Sequence, residues 1–210
     1  MDELAYLNPF GDTRVLKNRL PHWDQEHSTY FVTFRLADSF PSSQIALWQE
    51  ARANWLRQHP LPWSAAIERE YARLAANRIE TALDQHYGSC ILRGAKPRRI
   101  VETTLAHFDN LRHTNYAWVI MPNHVHILFS LLAGSQLNEV VHSWKSYSAK
   151  EINKIVGRRG SLWQKDYFDR SVRNDKHFVD CVRYIRNNPV KAKLKQSEYA
   201  LFESDWVKSF

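Results

Sequence analysis

The chain has 210 residues and a mass of 24.8 kDa, which fits one domain. It is 44% hydrophobic, 24% charged and 13% aromatic, a composition that excludes a disordered or collagen-like chain. No apolar run approaches the ~20 residues of a membrane span, and the first residues are acidic rather than a basic leader, so we expect a cytoplasmic protein without a membrane partner. The two cysteines, Cys90 and Cys181, are too far apart in sequence for a metal knuckle, and we expect reduced packing residues.

The net charge of +7 is located in the last third of the chain. Residues 1–143 contain 14 basic and 14 acidic side chains, whereas residues 144–210 contain 15 basic and 8 acidic ones. A basic surplus of this kind indicates either a polyanion partner such as nucleic acid or an ordinary solvated surface. Charge alone leaves both interpretations open.

The first half of the chain predicts one strand and three helices. Residues 30–36 are rich in β-branched and aromatic side chains, with Tyr30, Val32, Phe34 and Leu36 on one side, and predict the first strand. Two helices are predicted over 42–58 and 64–87, each opened by a serine, and together they form an inserted helical hairpin over residues 42–87. A third helix begins near Pro97 and is expected to end near His113.

The second half predicts a β-hairpin at Pro122-Asn123 followed by helix, strand and helix. The predicted elements are strands over 116–121 and 124–131, a helix over 136–156, an extended segment over 162–172, and a last helix from Asn174 or Asp175 to Pro189. Without the inserted hairpin, the order is βαββαβ plus one helix. We therefore predict an α+β fold in one domain over residues 1–210, with a ferredoxin-like antiparallel sheet and an extra C-terminal helix region at 174–195.

His124 and His126 are the first candidates for chemistry. Side chains alternate along a strand, so the two imidazoles are expected on one face and the neighbouring Val125 and Ile127 on the other. Two imidazoles this close can bind one metal ion, but two packed histidines are an equally simple interpretation. A histidine-triad enzyme is disfavoured because Leu128 stands where its third histidine is required.

The last predicted helix offers Tyr184 and Asn188, which are four residues apart and therefore share one helix face. Asn188 precedes Pro189, so we expect it at the helix end with its amide oxygen free to face an ion. The alternative is a capping Asn-Pro pair beside a packed tyrosine.

Several motifs together resemble the REP-associated tyrosine transposases, which are HUH single-tyrosine transposases of the IS200-like kind. The motifs are Met-Pro-Asn-His-Val-His at 121–126, Ser-Trp-Lys-Ser at 143–146, Leu-Trp-Gln-Lys-Asp-Tyr-Phe-Asp-Arg at 162–170 and Tyr-Ile-Arg-Asn-Asn-Pro-Val-Lys at 184–191, with Leu-Pro-His-Trp-Asp at 20–24 and the strand at 30–36. The resemblance spans roughly residues 14–195. It implies a catalytic Tyr184 that attacks single-stranded DNA, and a divalent metal held by His124, His126 and Asn188.

The chemistry implied by the resemblance is nicking and strand transfer through a 5′-phosphotyrosine, at short palindromic hairpins such as REP elements. Mg²⁺ or Mn²⁺ suits two imidazoles and an amide oxygen, because open positions remain for phosphate and water, although Zn²⁺ is also compatible. Two other tyrosines, Tyr167 and Tyr147, are expected to pack or to stack on DNA. The sequence offers no dedicated general base for the phenol.

Single-stranded or hairpin DNA is the expected partner, and we expect a nucleoid-associated protein whose state, monomer or homodimer, the sequence leaves open. Basic and aromatic residues near Tyr184 in sequence are candidates for phosphate contacts and base stacking. They are Trp144, Lys145, Trp163, Lys165, Tyr167, Arg170, Arg173, Arg183 and Arg186. The alternatives are a non-catalytic DNA-binding protein and, less well matched by the chain length, a relaxase or replication initiator.

Overall fold

A five-stranded antiparallel sheet forms the centre of the computed structural model, which describes residue 6 and residues 14–17, 21–24 and 28–209. Two short strands, β1 (Arg14–Lys17) and β2 (Pro21–Asp24), pair with each other in a separate ribbon. The strands of the central sheet are β3 (Thr29–Arg35), β4 (His113–Ile120), β5 (His124–Leu131), β6 (Phe168–Ser171) and β7 (Ala200–Glu203). Their order across the sheet is β6-β3-β5-β4-β7.

Six helices accompany the strands in the described part of the chain. They are α1 (Ser42–Gln58), α2 (Ala65–Asp84), α3 (Ala95–Ala106), α4 (Leu137–Val156), α5 (Asp175–Lys191) and α6 (Asp205–Lys208). Without α1 and α2, the order from β3 to β6 is strand, helix, strand, strand, helix, strand. The predicted α+β fold with a ferredoxin-like βαββαβ core is confirmed, and β7 adds an edge strand that the sequence analysis did not predict.

The sheet is covered by helices on both faces, and every residue of its central strand β5 is buried. On one face, Val125 and Ile127 of β5 pack in a cluster with Val101 of α3 and Trp144 of α4. The opposite face of β5 presents Leu128 to a second cluster formed with α5. His124 and His126 belong to this second face by strand alternation, and the fold therefore brings α5 over them.

The ends of two helices differ from the prediction. The helix α3 ends at Ala106 instead of His113, because the following turn places Asn110 in the left-handed region at φ 60° and leaves Leu111 exposed. The helix α5 begins after Asn174, whose side chain accepts a hydrogen bond from the His177 amide, but it continues past Pro189.

Pro189 does not end α5, so Asn188 lies inside the helix rather than at its end. A proline removes the helical hydrogen bond to the carbonyl four residues before it, and here that loss falls in the last turn. The turn is closed instead by the Ala192 amide, which donates to the Asn188 carbonyl, and by the Leu194 amide, which donates to the Pro189 carbonyl.

The inserted hairpin of α1 and α2 lies beside the α5 face of the sheet. None of the residues of α1 is buried, and the hairpin has a small core formed by Phe40, Ala82 and Leu83. An ion pair of 2.7 Å between Asp84 and Lys191 connects α2 to the end of α5. The prediction of one domain over residues 1–210 stays a prediction. Part of this range lies outside the described residues, including Leu20 of the Leu-Pro-His-Trp-Asp motif.

Within the described part of the chain, no helix is both long enough and apolar enough to cross a bilayer. Cys90 and Cys181 are both free thiols.

Candidate tyrosine and metal site

His124 and His126 lie next to each other on the α5 face of β5, with ring centroids 4.6 Å apart. Both side chains are buried. The His124 ring contacts its chain neighbour Asn123, and the His126 ring contacts Thr33 on the paired strand β3. Each histidine is therefore held by one polar contact at Nδ1, which leaves Nε2 as the atom available to a ligand.

The contact at His124 fixes its tautomer. Nδ1 lies 2.8 Å from Oδ1 of Asn123, and the Asn123 amide nitrogen donates to the carbonyl of Tyr87 at 3.2 Å, which sets the orientation of that amide. An amide oxygen only accepts, so His124 Nδ1 carries the proton and donates it. The Nε2 atom then has a lone pair, which is the state that a metal ligand needs.

The contact at His126 is also made through Nδ1, but it does not determine which of the two atoms carries the proton. Nδ1 lies 2.6 Å from the Thr33 hydroxyl, and the register of the two strands pairs these residues directly. A hydroxyl either donates or accepts, and it fixes the plane of the ring in both cases. Phe31 stacks on the same imidazole, with ring centroids 5.5 Å apart.

Tyr184 and Asn188 approach the histidines from α5. The Tyr184 ring meets the His126 ring edge to face at 5.0 Å, and it meets Phe31 in the same way at 5.6 Å. Asn188, one turn later, is 2% exposed. The helix thus brings a phenol and an amide to the two imidazoles.

Three buried polar atoms of this cluster lack a hydrogen bond of ordinary geometry within the described residues. They are Nε2 of His124, Nε2 of His126 and Oδ1 of Asn188. Burying a polar atom without a partner costs about 1–3 kcal/mol, so three such atoms together indicate a missing ligand. His124 Nε2 and Asn188 Oδ1 are electron-pair donors, and His126 Nε2 is one in the tautomer whose Nδ1 donates to Thr33; this set fits a cation.

The donor set also limits which ion fits. The described residues contain no group of three or more His, Cys, Asp or Glu side chains arranged for a metal, so an amide has to complete this set. Two imidazoles with one neutral oxygen leave coordination positions for water or phosphate, as Mg²⁺ and Mn²⁺ require.

The histidines are neutral at physiological pH. Burial lowers the pKa of His126 to about 3, with a smaller effect from the charge of Lys191. Burial lowers the pKa of His124 well below its usual value, and the neighbouring His126 and His86 add to this effect. The contact with the Asn188 amide raises the pKa, but by less. Neutral imidazoles are ready to bind a metal without first losing a proton.

Tyr184 is a protonated phenol in this environment. Burial raises its pKa above the usual value, and the negative charge of Glu80 on α2 adds to the effect. The Asn188 side chain acts in the opposite direction, because its hydrogen bond with the phenol lowers the pKa. The tyrosine thus depends on its surroundings for activation.

A cavity of about 570 Å³ opens beside Tyr184 and His126. Tyr167 and Arg170, both predicted to contact DNA, line it as well. Tyr147 is on the surface of α4 with 56% of its side chain exposed. Of the two competing tyrosines, Tyr167 therefore shares a cavity with Tyr184.

Two of the aromatic residues predicted to stack on DNA are core residues. Trp144 is 2% exposed and packs edge to face with His113 and Phe129. Trp163 is 5% exposed, packs on Phe34, and donates its indole hydrogen to Ser148 at 3.0 Å. Since neither ring has a free face in the fold, we assign both to packing.

The basic candidates differ in their surroundings. Arg186 forms an ion pair with Glu203 and donates to the Val207 carbonyl at 3.0 Å, so it holds the C-terminal segment. Lys145 donates to the Lys165 carbonyl at 2.6 Å, and burial lowers its pKa to about 8. The remaining four are exposed and suited to phosphate contacts: Lys165, Arg170, Arg173 and Arg183.

Sequence reasoning did not identify Thr33, Asn123 and Arg35 as parts of the site. In sequence terms Asn123 is a turn residue, and its position next to His124 in the motif is the one signal of a role at the site. Thr33 and Arg35 face the histidines through the pairing of β3 with β5, which joins residues about 90 positions apart. The alternating pattern of residues 30–36 shows that they share a face, but not which strand lies beside them.

Comparison with known proteins agrees with the class of protein that the motifs suggested. Residues 87–188 match the model of the family described as "Transposase IS200 like", and this segment contains His124, His126, Tyr184 and Asn188. The matched segment is just under half of the chain.

The chain is also similar to a REP-associated tyrosine transposase of Escherichia coli (strain K12), with 31% identity over 75 residues. The match covers 36% of this chain and 43% of that protein, which is less than half the length of the relative. A solved structure of a REP-associated tyrosine transposase bound to a REP hairpin is similar over 83% of this chain and 74% of that one, with 17% identity and a TM-score of 0.47. The predicted resemblance to the REP-associated tyrosine transposases is confirmed.

Proposed function

We propose that the protein is a metal-dependent enzyme that nicks single-stranded DNA and transfers the strand through a 5′-phosphotyrosine at Tyr184. One observation carries this proposal. Two imidazole Nε2 atoms and one amide oxygen, all buried and without ordinary partners among the described residues, lie beside a half-buried phenol. Three potential metal ligands next to a phenol hydroxyl suit a phosphate that is held between a metal ion and a nucleophile.

The transfer balances without an external energy source. The Tyr184 oxygen attacks the scissile phosphorus, a new P–O bond forms to the phenol, and the bond from phosphorus to the 3′ oxygen breaks. The phenol proton is lost and the leaving oxygen gains one, so that a free 3′ hydroxyl results. The reverse attack by a 3′ hydroxyl reseals or transfers the strand and regenerates the tyrosine.

The residues of the site divide this work. His124, His126 and Asn188 would hold a divalent ion, Mg²⁺ or Mn²⁺, which when bound supplies positive charge to a scissile phosphate. Asn123 and Thr33 orient the two rings from behind. Tyr184 is held next to His126 by packing on Phe31 and by its place on α5.

Charge and the relatives support the proposed substrate class. The last third of the chain carries the basic surplus, and the exposed Lys165, Arg170, Arg173 and Arg183 lie in that part. These charges favour a polyanion. Because the E. coli relative is named for its association with REP elements, we extend the proposal to short palindromic hairpins with single-stranded flanks.

A covalent adduct is the direct test. The protein is incubated with Mn²⁺ and a hairpin oligonucleotide that has single-stranded tails and a label at its 3′ end, and the products are separated under denaturing conditions. We expect a labelled protein band that Tyr184→Phe removes and that the matched control Tyr167→Phe retains. Hairpin binding without any adduct would instead support a non-catalytic DNA-binding protein.

The metal assignment has its own test, because an ion that binds only the folded state raises the melting temperature. We expect Mn²⁺ to stabilise the wild-type protein and not the double variant His124→Ala, His126→Ala, which should also lose cleavage. Asn188→Ala should weaken Mn²⁺ binding less, since water can replace one neutral oxygen. An unchanged wild-type melting temperature up to millimolar Mn²⁺ would refute the assignment.

A further inference from the structure

The cavity beside Tyr184 extends well beyond the metal and tyrosine site. It has a volume of about 570 Å³ and lies between β3 of the sheet, α5, and the inserted hairpin of α1 and α2. The inserted hairpin contributes Trp48 from α1 and Glu80 and Leu83 from α2. Pockets for small ligands and cofactors span roughly 300–1,000 Å³, so this cavity has room for one nucleotide rather than for a duplex.

Aromatic side chains form much of the wall. Phe31 lies next to Tyr184, and Phe40 packs edge to face against Trp48 with ring centroids 4.7 Å apart. Tyr167, on the segment leading to β6, also lines the cavity. Walls of this kind bind flat heterocycles, because every nucleobase offers a ring face for stacking.

Arg35 in the cavity wall has N–H donors beyond those used in its contacts. The Arg35 guanidinium lies 3.9 Å above the Phe40 ring and donates to the Ser39 hydroxyl at 2.9 Å. Within the described residues no carboxylate pairs with it, although a guanidinium has five N–H donors. Its register partner on β5 is His124, so Arg35 faces the same side of the sheet as the two histidines. A phosphate near the site would complete its bonding.

The acidic residues of the cavity argue against a second phosphate inside it. Glu80, Asp166, Asp169 and Asp180 all line it and outnumber its two arginines, Arg35 and Arg170, so the repulsion between carboxylates and phosphate prevails. Carboxylates accept hydrogen bonds from the amino groups of bases, as in their pairing with the cytosine amino group. The chemistry of the cavity therefore suits a neutral base with N–H donors, and apart from the phosphate at Arg35 the sugar–phosphate backbone lies outside.

We propose that the cavity binds the base of one unpaired nucleotide that flanks the scissile phosphodiester, stacked against the aromatic wall that the inserted hairpin completes, while Arg35 contacts a backbone phosphate. The proposal rests on the proposed function, since it takes DNA as the substrate of the same site. It gives the inserted hairpin over residues 42–87 a role in substrate recognition. Trp48 is a binding residue in this account, with no part in the transfer chemistry.

The test measures binding, so that it does not depend on cleavage. Full-length protein carrying Tyr184→Phe is titrated, with Mn²⁺, into a labelled hairpin oligonucleotide whose single-stranded tails contain one abasic residue at each position in turn. The hairpin fixes the register of the DNA. We expect one abasic position in a tail to weaken binding by roughly 5- to 150-fold, the effect of losing one stacked base.

Trp48 connects that loss to this cavity. We expect Trp48→Ala to weaken binding of the intact oligonucleotide by a similar factor but to leave binding of the sensitive abasic oligonucleotide nearly unchanged, because the stacking partner is already absent. Trp48→Phe should restore most of the affinity. Leu47→Ala is the matched control, since Leu47 is exposed on the same helix and does not line the cavity.

Arg35 has a different signature. Arg35→Gln should weaken binding of intact and abasic oligonucleotides equally and reduce the slope of log affinity against log salt by about 0.7, the value for one phosphate of a single strand. Equal penalties for Trp48→Ala on intact and abasic DNA, or no sensitive abasic position, would overturn the proposal. If the effects of Trp48→Ala and of the abasic residue are coupled as expected, but the wild-type protein forms no covalent adduct, the proposed function alone would be overturned.

Discussion

His126 is buried as a neutral imidazole, and acid should therefore destabilise the metal-free protein through this residue. Its folded-state pKa of about 3 lies below the value of about 6.5 expected in the unfolded chain, so the unfolded state binds the proton more readily. The stability is present in full above the unfolded value and is lost as the pH falls below about 6.5 towards 3. Between about pH 7.5 and 5, linkage gives a loss of about 2 kcal/mol from His126 alone, or roughly 4–8 °C in melting temperature for a chain of this length.

The assay compares variants, because other groups titrate in the same range. Thermal unfolding is followed with a chelator at both pH values for the wild type, His126→Gln and His107→Gln. We expect His126→Gln to lose about 2 kcal/mol of the pH dependence, and His107→Gln to retain it because His107 is exposed. Should His126→Gln fail to fold, NMR titration of the wild-type imidazole gives the same information. An imidazole that titrates near 6.5 in the folded protein would refute the reasoning.

Two further predictions concern the orientation of the ligands and the DNA surface. Thr33→Val removes the contact with His126 Nδ1 while keeping the side-chain shape, and should weaken Mn²⁺ binding by roughly 10- to 100-fold in calorimetric titration. Thr29→Val, on the same strand but bonded to a serine, should not. Changing the exposed Arg170 and Arg173 to Ala should weaken hairpin binding and reduce its salt dependence, since fewer counterions are released. An unchanged salt slope would locate the DNA elsewhere on the protein.

Local sequence patterns predicted the central fold because each element is specified by residues close together in the chain. The alternation around His124 and His126 indicated their shared face, and the spacing of Tyr184 and Asn188 indicated theirs. Predicting that the histidine face of β5 lies against the Tyr184 face of α5 requires the βαββαβ order as well. The resemblance to known transposases connects the four residues as one site.

The remaining features depend on contacts that local patterns do not encode. Thr33 becomes part of the site only through the register of β3 against β5. Trp144 and Trp163 lie in a basic segment, where the sequence indicates stacking on DNA, but packing of α4 against the sheet buries them. A proline usually ends a helix, yet Pro189 falls in the last turn, where a lost hydrogen bond is inexpensive. The cavity wall formed by Trp48 depends on where an inserted hairpin folds back.

The central claim is that Tyr184 becomes joined to DNA, and mass spectrometry of the adduct tests it most directly. The wild-type protein is incubated with Mn²⁺ and the hairpin oligonucleotide, digested with nuclease and protease, and the modified peptide is sequenced. The account predicts a nucleotide joined through its 5′ phosphate to Tyr184, and no such peptide from the His124→Ala, His126→Ala variant. A nucleotide on Tyr167 or Tyr147, or cleaved DNA without any modified tyrosine, would contradict it.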